Sequence, residues 1–385
     1  MAAHSLRPLE RQRTKRDHAR KLVEELLARA DVRPQGNRPW DIQVNDERFY
    51  NRVHAQGSLG LGESYVDGWW ECTSPDQLIF RLLESGAAGS VRPWIERLGD
   101  LKAKVLNLQN PARAYVIGEQ HYDIGNDLYQ SMLDRRMIYS CAYWRNAESL
   151  DTAQEAKLDL ICRKLGLESG MRVLDIGCGW GGAAQFAAER YGVEVVGITV
   201  SQAQHQVAQQ RCRGLPVSIR LQDYRQLQGR FDRIFSIGMF EHVGHKNYAT
   251  YLRIARDCLA PDGLFLLHTI GANRSAAAGN PWVEKYIFPN SMLPSASQIT
   301  SAAEGLFTLE DWHCFGPDYD RTLMHWWQNC ATHRREIEAR YGERFLRMWR
   351  YYLLSFAGAF RARHTQLWQL TLSPLGSAIA HRIDR

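Results

Sequence analysis

"VLDIGCGWGG", Val173 to Gly182, is the stretch that decides how this chain folds. Val173, Leu174 and Ile176 form an apolar run around one acid, Asp175. Gly177, Gly179, Gly181 and Gly182 then turn the chain into "GGAAQFAAERYG", a helical pattern ended by Gly192. Glycines so dense carry an entropic cost that needs a reason, such as positive φ or close backbone approach to a ligand. Further along, "VEVVGIT", "VSIRLQ", "FDRIFSIG" and "LFLLHTIG" read as strands. "SQAQHQVAQQRC" and "KNYATYLRIARDCLAPDG" between them read as helices, the second closed by Pro261 and Gly263. This alternation predicts an α/β fold, a mainly parallel sheet wrapped by helices.

The spacing Gly177-x-Gly179-x-x-Gly182 also fits a dinucleotide fingerprint. That ligand needs an acid about twenty residues on, for the adenosine ribose. The second strand ends instead in Thr199, with no acid. Asp175 before the turn would oppose a phosphate but suits a ligand with an ammonium group. The stretch resembles motif I of the S-adenosylmethionine (SAM)-dependent methyltransferases, whose fold is a seven-stranded Rossmann-like sheet. That resemblance implies SAM contacts from Asp175, Gly177, Gly179 and Gly181. "ITVSQAQ" resembles the "TLSxxQ" loop of one branch of that superfamily, which implies Thr199, Ser201 and Gln204 at the nucleoside. By the same resemblance Asp223 and Tyr224 hold the adenine, and Ser236 and Gly238 lie near the methionine end.

Length and composition set the frame. A chain of 385 residues exceeds one ordinary core, so two or three domains are expected. No run approaches the roughly eighteen apolar residues that span a bilayer. The first residues carry charge without an apolar core, so no secretory signal is expected. Eight cysteines lie scattered with no CxxC pair, which argues against a zinc site or disulfide scaffold and suits a reducing cytosol. No metal is expected. The net charge is +6, and Arg7, Arg11, Arg13, Lys15, Arg16, Arg20 and Lys21 crowd the start against Glu10 and Asp17. Such a stripe can serve nucleic acid, an anionic membrane surface, or simply a solvated helix face.

The first block, residues 1–117, reads as a small α+β unit. "HARKLVEELLARA" is helical, with Leu22, Leu26 and Leu27 on one face, ended by Pro34, Gly36 and Pro39. "WDIQVNDERFYNRV" reads as short strands around Asn45-Asp46. "GSLGLGESYVDGWWEC" is a loop or short helix. "SPDQLIFRLLESG" is a helix with Ser74 as cap and Pro75 in its first turn. "LNLQNPARAY" is a linker. The second block, 118–385, carries the sheet. "FTLEDWHCFG" and "DYDRTLMHWW" are late strands or a strand–helix junction. A long helical region runs from His325 through "TQLWQL".

The second block also resembles the cyclopropane-fatty-acid and mycolic-acid cyclopropane synthases. The matching pieces are "HYDIGNDLYQSMLDRRMIYSCAYW", "VLDIGCGWGG", "ITVSQAQ", "SIGMFEHVGHKNY", "LHTIG", "WVEKYIFPN", "LPS" and "FGPDYDRTLMHWW", covering residues 121 to about 365. The basic first block is similar to that of the phospholipid-acting branch. The resemblance implies methylene transfer from SAM to a cis double bond of a membrane phospholipid acyl chain. An unactivated alkene must attack the methyl group in a dry, aligned pocket. The resulting carbocation needs aromatic faces and a base that does not trap it. No His–Asp pair or paired carboxylate in the sequence supplies that base.

The resemblance supplies a bound bicarbonate ion. Its cage would be Cys141, Glu241, His268, Ile270 through its backbone, and Tyr319, with His242 beside them. Tyr139 and Ser140 would touch SAM from the other side. Tyr143, Trp144, Phe240 and Tyr248 are candidates for an acyl channel, or core. Some members of the family carry a cysteine where Phe356 stands. The expected partners are a bilayer with unsaturated acyl chains, an anionic lipid surface and a second copy of the chain in a homodimer, with no nucleic acid. The expected place is cytoplasmic, peripheral on the inner membrane. An alternative outcome is C-methylation giving a methyl-branched or hydroxylated chain. A non-enzymatic lipid-binding protein and a dinucleotide oxidoreductase are weaker readings.

Overall fold

A computed structural model describes residues 6–86, 125–276, 278–377 and 383–385, with side chains in the first helix from Arg16 onward. The expected linker, the boundary near 117 and the start of "HYDIG" lie outside the described residues. In chain order the first block holds α1 (Leu6–Arg29), β1 (Gln43–Val44), α2 (Arg48–Gln56), α3 (Ser58–Val66), β2 (Trp70–Glu71) and α4 (Pro75–Glu84). The second begins with α5 (Asn126–Met132), α6 (Leu150–Lys164), β3 (Arg172–Ile176), α7 (Gly182–Tyr191), β4 (Glu194–Thr199), α8 (Gln202–Arg211), β5 (Val217–Leu221) and β6 (Phe231–Ile237). It ends with α9 (Tyr248–Cys258), β7 (Leu259–Ala272), α10 (Pro281–Tyr286), α11 (Ala296–Ala303), β8 (Phe307–Cys314), α12 (Pro317–Thr332), α13 (Arg334–Tyr341), α14 (Glu343–Arg361) and β9 (Thr365–Pro374).

The expected sheet is present. Seven strands run in the order β5-β4-β3-β6-β7-β9-β8. The first five are parallel, and β9 pairs antiparallel with both β7 and β8. Two apolar clusters cover its faces. One gathers Ile234, Phe265 and Leu370, and the other Val173, Phe235 and Leu266. The order reverses between β3 and β6, and the crevice at such a point is where open α/β sheets bind ligands.

Four local expectations are corrected. "RFYNRVHAQ" is the helix α2, not a strand, because Phe49 and Tyr50 pack together into the core on successive helical positions. "TQLWQLTLSP" is the strand β9, not the end of a helix, since its ladder to β7 and β8 satisfies both edges. "DYDRTLMHWW" is wholly helical, in α12. Pro261 and Gly263 lie inside β7, where the register against β6 slips between Phe231 and Arg233.

A third apolar cluster joins the two blocks. It contains Val23, Phe49 and Trp70 from the first and Trp326, Trp349 and Tyr351 from the second. Polar contacts reinforce it. Arg347 donates to the Tyr65 carbonyl at 2.6 Å, and Arg361 reaches Asp76 at 2.7 Å. The buried Glu63 of α3 accepts from Arg52, from Lys285 of α10, and from the Tyr286 hydroxyl at 3.0 Å. Burial opposes the Glu63 charge, but Lys285, Arg52 and Tyr286 outweigh it and hold the carboxyl below its ordinary value.

Candidate active site

The glycine turn does what its composition suggests. Gly177, Gly179 and Gly181 take φ of 89°, 54° and 80°, a region closed to most side chains. A Cβ on Gly177 would come 2.8 Å from the Met239 side chain. The turn opens a cavity of about 180 Å³ at the carboxyl ends of β3, β4 and β6. Ten expected residues line it: Tyr139, Ser140, Asp175, Gly177, Gly179, Thr199, Gln204, Asp223, Tyr224 and Gly238. Gly181, Ser201 and Ser236 do not line it and act behind it. Gly181 backs onto Ala208. Ser201 caps α8 by accepting from the Gln204 amide at 3.3 Å, while Thr199 donates to the Gln204 side chain at 3.0 Å. Ser236 donates to the Ile176 carbonyl at 3.0 Å. Met137, Ile138, Trp180 and Met239 also line the cavity, and nothing in their residue types or spacing separates them from core.

Asp175 is buried and its Oδ2 has no hydrogen-bond partner. Burial pushes its carboxyl up to about 8, against the pull of Lys157. A buried unpaired carboxyl facing a cavity fits a cationic ligand end. Asp223 is held open by Arg225, whose amide and side chain reach it at 2.8 Å and 2.9 Å. Tyr224 lies against Tyr251 at 5.1 Å, with its hydroxyl unpaired and buried.

A second cavity of about 500 Å³, mostly apolar, adjoins the first. Tyr139, Gly238 and His242 line both. Glu241, Ile270 and Tyr319 line the second near this junction, and Phe356 lies further along it. It then runs between the two blocks, walled by Leu22 and Leu26 of α1, Val53 of α2, Leu82 of α4 and Phe288. The spacing of Leu22 and Leu26 marked them as buried, and only the fold makes their partner a void. The earlier channel candidates lie elsewhere. Phe240 stacks on Tyr248 at 4.2 Å inside the core, Trp144 stacks on His325, and Tyr143 meets Phe315 edge-on. None of the four lines the cavity.

Of the expected cage residues, Glu241, Ile270 and Tyr319 line the second cavity, and Cys141 and His268 do not. Glu241 Oε1 accepts from the Ile270 amide at 2.6 Å, and its buried Oε2 has no partner. Burial pushes this carboxyl up to about 7. His268 Nδ1 faces the Gln369 amide at 3.2 Å, and its buried Nε2 has no partner. Burial, with Lys157 and Lys164 adding, holds that imidazole well below its ordinary value, hence neutral. Cys141 is fully buried and its thiol donates to the Ala142 carbonyl at 3.1 Å. Burial raises it well above the ordinary thiol, with Asp318 adding, so it is no thiolate. Cys141 and His268 line neither cavity. His242 is depressed to about 4 by burial. A carboxyl raised by burial, a neutral imidazole and two orphaned buried atoms fit a small anion that both donates and accepts. Among the described residues no group of acids, histidines and cysteines could hold a metal.

The family model for mycolic acid cyclopropane synthetase matches residues 109–370. The chain belongs to this family. Its similarity to one relative extends over nearly its whole length. It is 51% identical to the cyclopropane-fatty-acyl-phospholipid synthase of Escherichia coli strain K12, over 93% of this chain and 94% of that one. Among solved structures, mycolic acid cyclopropane synthase CmaA1 complexed with SAH and CTAB is 33% identical with a TM-score of 0.63, over 67% of this chain and 97% of that one. Cyclopropane synthase MmaA2 from Mycobacterium tuberculosis is 32% identical with a TM-score of 0.64, over 69% and 99%. This synthetase-family chain is thus a SAM-dependent enzyme of lipid cyclopropanation, on the seven-stranded sheet its motif I implied.

Proposed function

We propose that the enzyme adds a methylene group from SAM across the cis double bond of an acyl chain in a membrane phospholipid. The observation that carries this reading is the junction of the two cavities. One has a glycine turn and an unpaired acid suited to SAM. The other is a long apolar slot suited to an acyl chain, and they share Tyr139, Gly238 and His242. SAM supplies the methyl group. Tyr139 and Ser140 close over its reactive end, and the apolar wall excludes water from the cation formed on the acyl chain. Tyr139, Phe288 and Tyr319 offer aromatic faces to that cation.

Glu241, His268, Cys141, Tyr319 and the Ile270 backbone would hold a bicarbonate ion. When bound, that ion would accept the proton lost from the new methyl group as the ring closes. Glu241, near the midpoint of its titration at neutral pH, relieves the repulsion of two adjacent anions by sharing a proton. His268 would present its unpaired Nε2.

Residues 1–117 form the lipid-associating domain and 118–385 the catalytic one. The α1 helix supports this. Leu22 and Leu26 face the acyl slot, while Arg16 and Lys21 are exposed on the same helix, placed for an anionic lipid surface. No helix among the described residues is long and apolar enough to cross a membrane. A cytoplasmic enzyme, working peripherally at the inner membrane as a homodimer, suits these features.

The decisive experiment is incubation with SAM and vesicles of unsaturated phospholipid, followed by mass analysis and proton NMR of the acyl chains. Addition of CH2 with cyclopropane ring protons is expected. A methyl-branched alkene or added oxygen would overturn ring closure, and unmodified chains would overturn the substrate class.

A further inference from the structure

His268 and Gln369 stand opposite each other in the ladder that joins β7 to β9. Both are buried, Gln369 completely. The amide nitrogen of the Gln369 side chain lies 3.2 Å from His268 Nδ1. Among the described residues this is the ring's one hydrogen bond, and His268 Nε2 is left buried without a partner. An amide nitrogen donates and does not accept, so Nδ1 is the acceptor of the pair. A neutral imidazole carries a single ring proton. With Nδ1 accepting, that proton belongs to Nε2, the nitrogen without a partner.

The unpaired nitrogen lies on the side of the sheet that carries the site. Residues two apart on a strand share a face, so His268 shares one with Ile270, which lines the apolar cavity. The Gly238 amide donates to the His268 carbonyl at 2.9 Å, and Gly238 lines both cavities. The same cross-strand row continues to His313 of β8, opposite Gln369. His313 does not compete for the amide, because its Nδ1 faces the Lys164 ammonium at 3.2 Å. Phe315 packs edge-on against the His268 ring with centroids 5.9 Å apart and offers it no polar atom. The hydrogen bond to Nδ1 thus comes from Gln369, about a hundred residues further along the chain.

We propose that Gln369 is a positioning residue of the cage: its amide fixes His268 as the tautomer with the proton on Nε2, so that the ring donates a hydrogen bond to the bound anion. This rests on the reading that a bicarbonate ion occupies the cage, and it gives His268 one role within that reading. Which ring nitrogen of a histidine holds the proton is set by the bond the other nitrogen makes. Partners of this kind orient a ligating ring and fix its tautomer. The opposite tautomer would turn a lone pair toward an anion and repel it. The fixed tautomer also keeps His268 from taking up the proton lost during ring closure, since Nε2 is already protonated and Nδ1 is occupied.

The test joins two measurements on the full-length protein. Solid-state nitrogen NMR of protein labelled in its histidine rings reports which nitrogen holds the proton, and His268→Leu identifies the His268 signals by their loss. The expected result at neutral pH is a proton on Nε2 and a hydrogen-bonded Nδ1. A proton on Nδ1 in the unaltered protein overturns the proposal, and that measurement requires no variant of Gln369 to fold. The second measurement titrates carbon-labelled bicarbonate into buffer freed of dissolved carbon dioxide, followed by carbon NMR with S-adenosylhomocysteine present. Gln369→Met keeps length and bulk and removes the donor. It should weaken bicarbonate binding about tenfold and leave affinity for S-adenosylhomocysteine within about twofold. It should also move the Nδ1 signal to the position of an unbonded nitrogen. Unchanged bicarbonate affinity in folded Gln369→Met overturns the role of Gln369. If the unaltered protein binds no bicarbonate, or His268→Leu binds it equally well, the cage reading itself fails and the proposal with it.

Discussion

Glu241 and Ile270 are joined by a 2.6 Å hydrogen bond from the Ile270 amide to Oε1, which leaves Oε2 buried and unpaired at the meeting point of two cavities. A carboxyl so placed is costly unless it stays protonated or gains a ligand. Glu241→Gln keeps the shape and one acceptor oxygen but cannot share a proton. Turnover should fall at least about a hundredfold, while affinity for S-adenosylhomocysteine stays within about twofold. Lost affinity in a folded variant would remove Glu241 from the proton-handling role. The same variant has a pH signature in stability. The folded Glu241 sits near 7 against an ordinary 4.5, so the native state holds its proton more tightly than the unfolded chain. That contribution is full below pH 4.5 and is lost as pH rises through 7. Glu241→Gln should therefore melt like the unaltered protein at low pH and be more stable above neutrality, by up to about 3 kcal/mol. Thermal melts across pH measure the crossover.

Cys141 invites a nucleophile reading that its surroundings oppose. It is fully buried, its thiol is already bonded to a carbonyl, and burial keeps it protonated. Cys141→Ser should retain measurable activity, reduced by about tenfold, because the position calls for a contact and not a thiolate. Complete loss of activity together with alkylation of Cys141 during turnover, read by peptide mass spectrometry, would restore the nucleophile.

The Glu63 carboxylate ties α3 to α10, so it couples the first block to the segment bearing Trp282 and Tyr286. Glu63→Ala leaves the Arg52 guanidinium with Asp67 alone. Melting should report a loss of about 2 kcal/mol, modest because Lys285 is half-exposed and screened. Lipid turnover should fall more than cofactor affinity. Equal effects on both would mean that the contact only stabilises the fold.

The sheet and the SAM turn could be read from residues because each strand has its own apolar run and each turn its own glycine. β9 could not, because "LWQLTL" follows a long apolar helix and suits either state until β7 and β8 bracket it. α2 misled because Phe, Tyr and Val favour strands locally, and packing overrode them. Phe240 and Tyr248 read either as channel aromatics or as core, and only the fold decides it, by burying them against each other. The apolar cavity proposed for the acyl chain is walled by leucines of α1, more than two hundred residues away in sequence. Gln369 carried no signal at all, since a glutamine between apolar residues reads as surface and its partner His268 lies on another strand. What the resemblance added was the joint set of candidates for the proposed cage, which no single residue type announces.

Leu26 tests the slot directly. It is partly buried and lines the apolar cavity far from the glycine turn. Leu26→Trp fills that space, and overpacking costs about 1–3 kcal/mol wherever a bound chain must compete for it. Activity on phospholipid vesicles, read as kcat/KM, should drop about tenfold, with affinity for S-adenosylhomocysteine unchanged. Unchanged lipid kinetics would place the acyl chain elsewhere.

Arg16 and Lys21 lie on the exposed side of the same helix. Neither is strongly committed: Lys21 stands 4.0 Å from Glu25, and both side chains reach solvent. Near an anionic bilayer each such cation contributes about 1 kcal/mol. Reversing both, in Arg16→Glu with Lys21→Glu, should weaken binding to vesicles containing phosphatidylglycerol by well over tenfold at low salt. The difference should shrink as added salt shortens the screening length to about 10 Å and below. Vesicle flotation at two ionic strengths reads it. Binding that is equal at both strengths, and unchanged by the reversal, would leave the basic stripe as a solvated helix face and move the membrane contact to another surface of the first block.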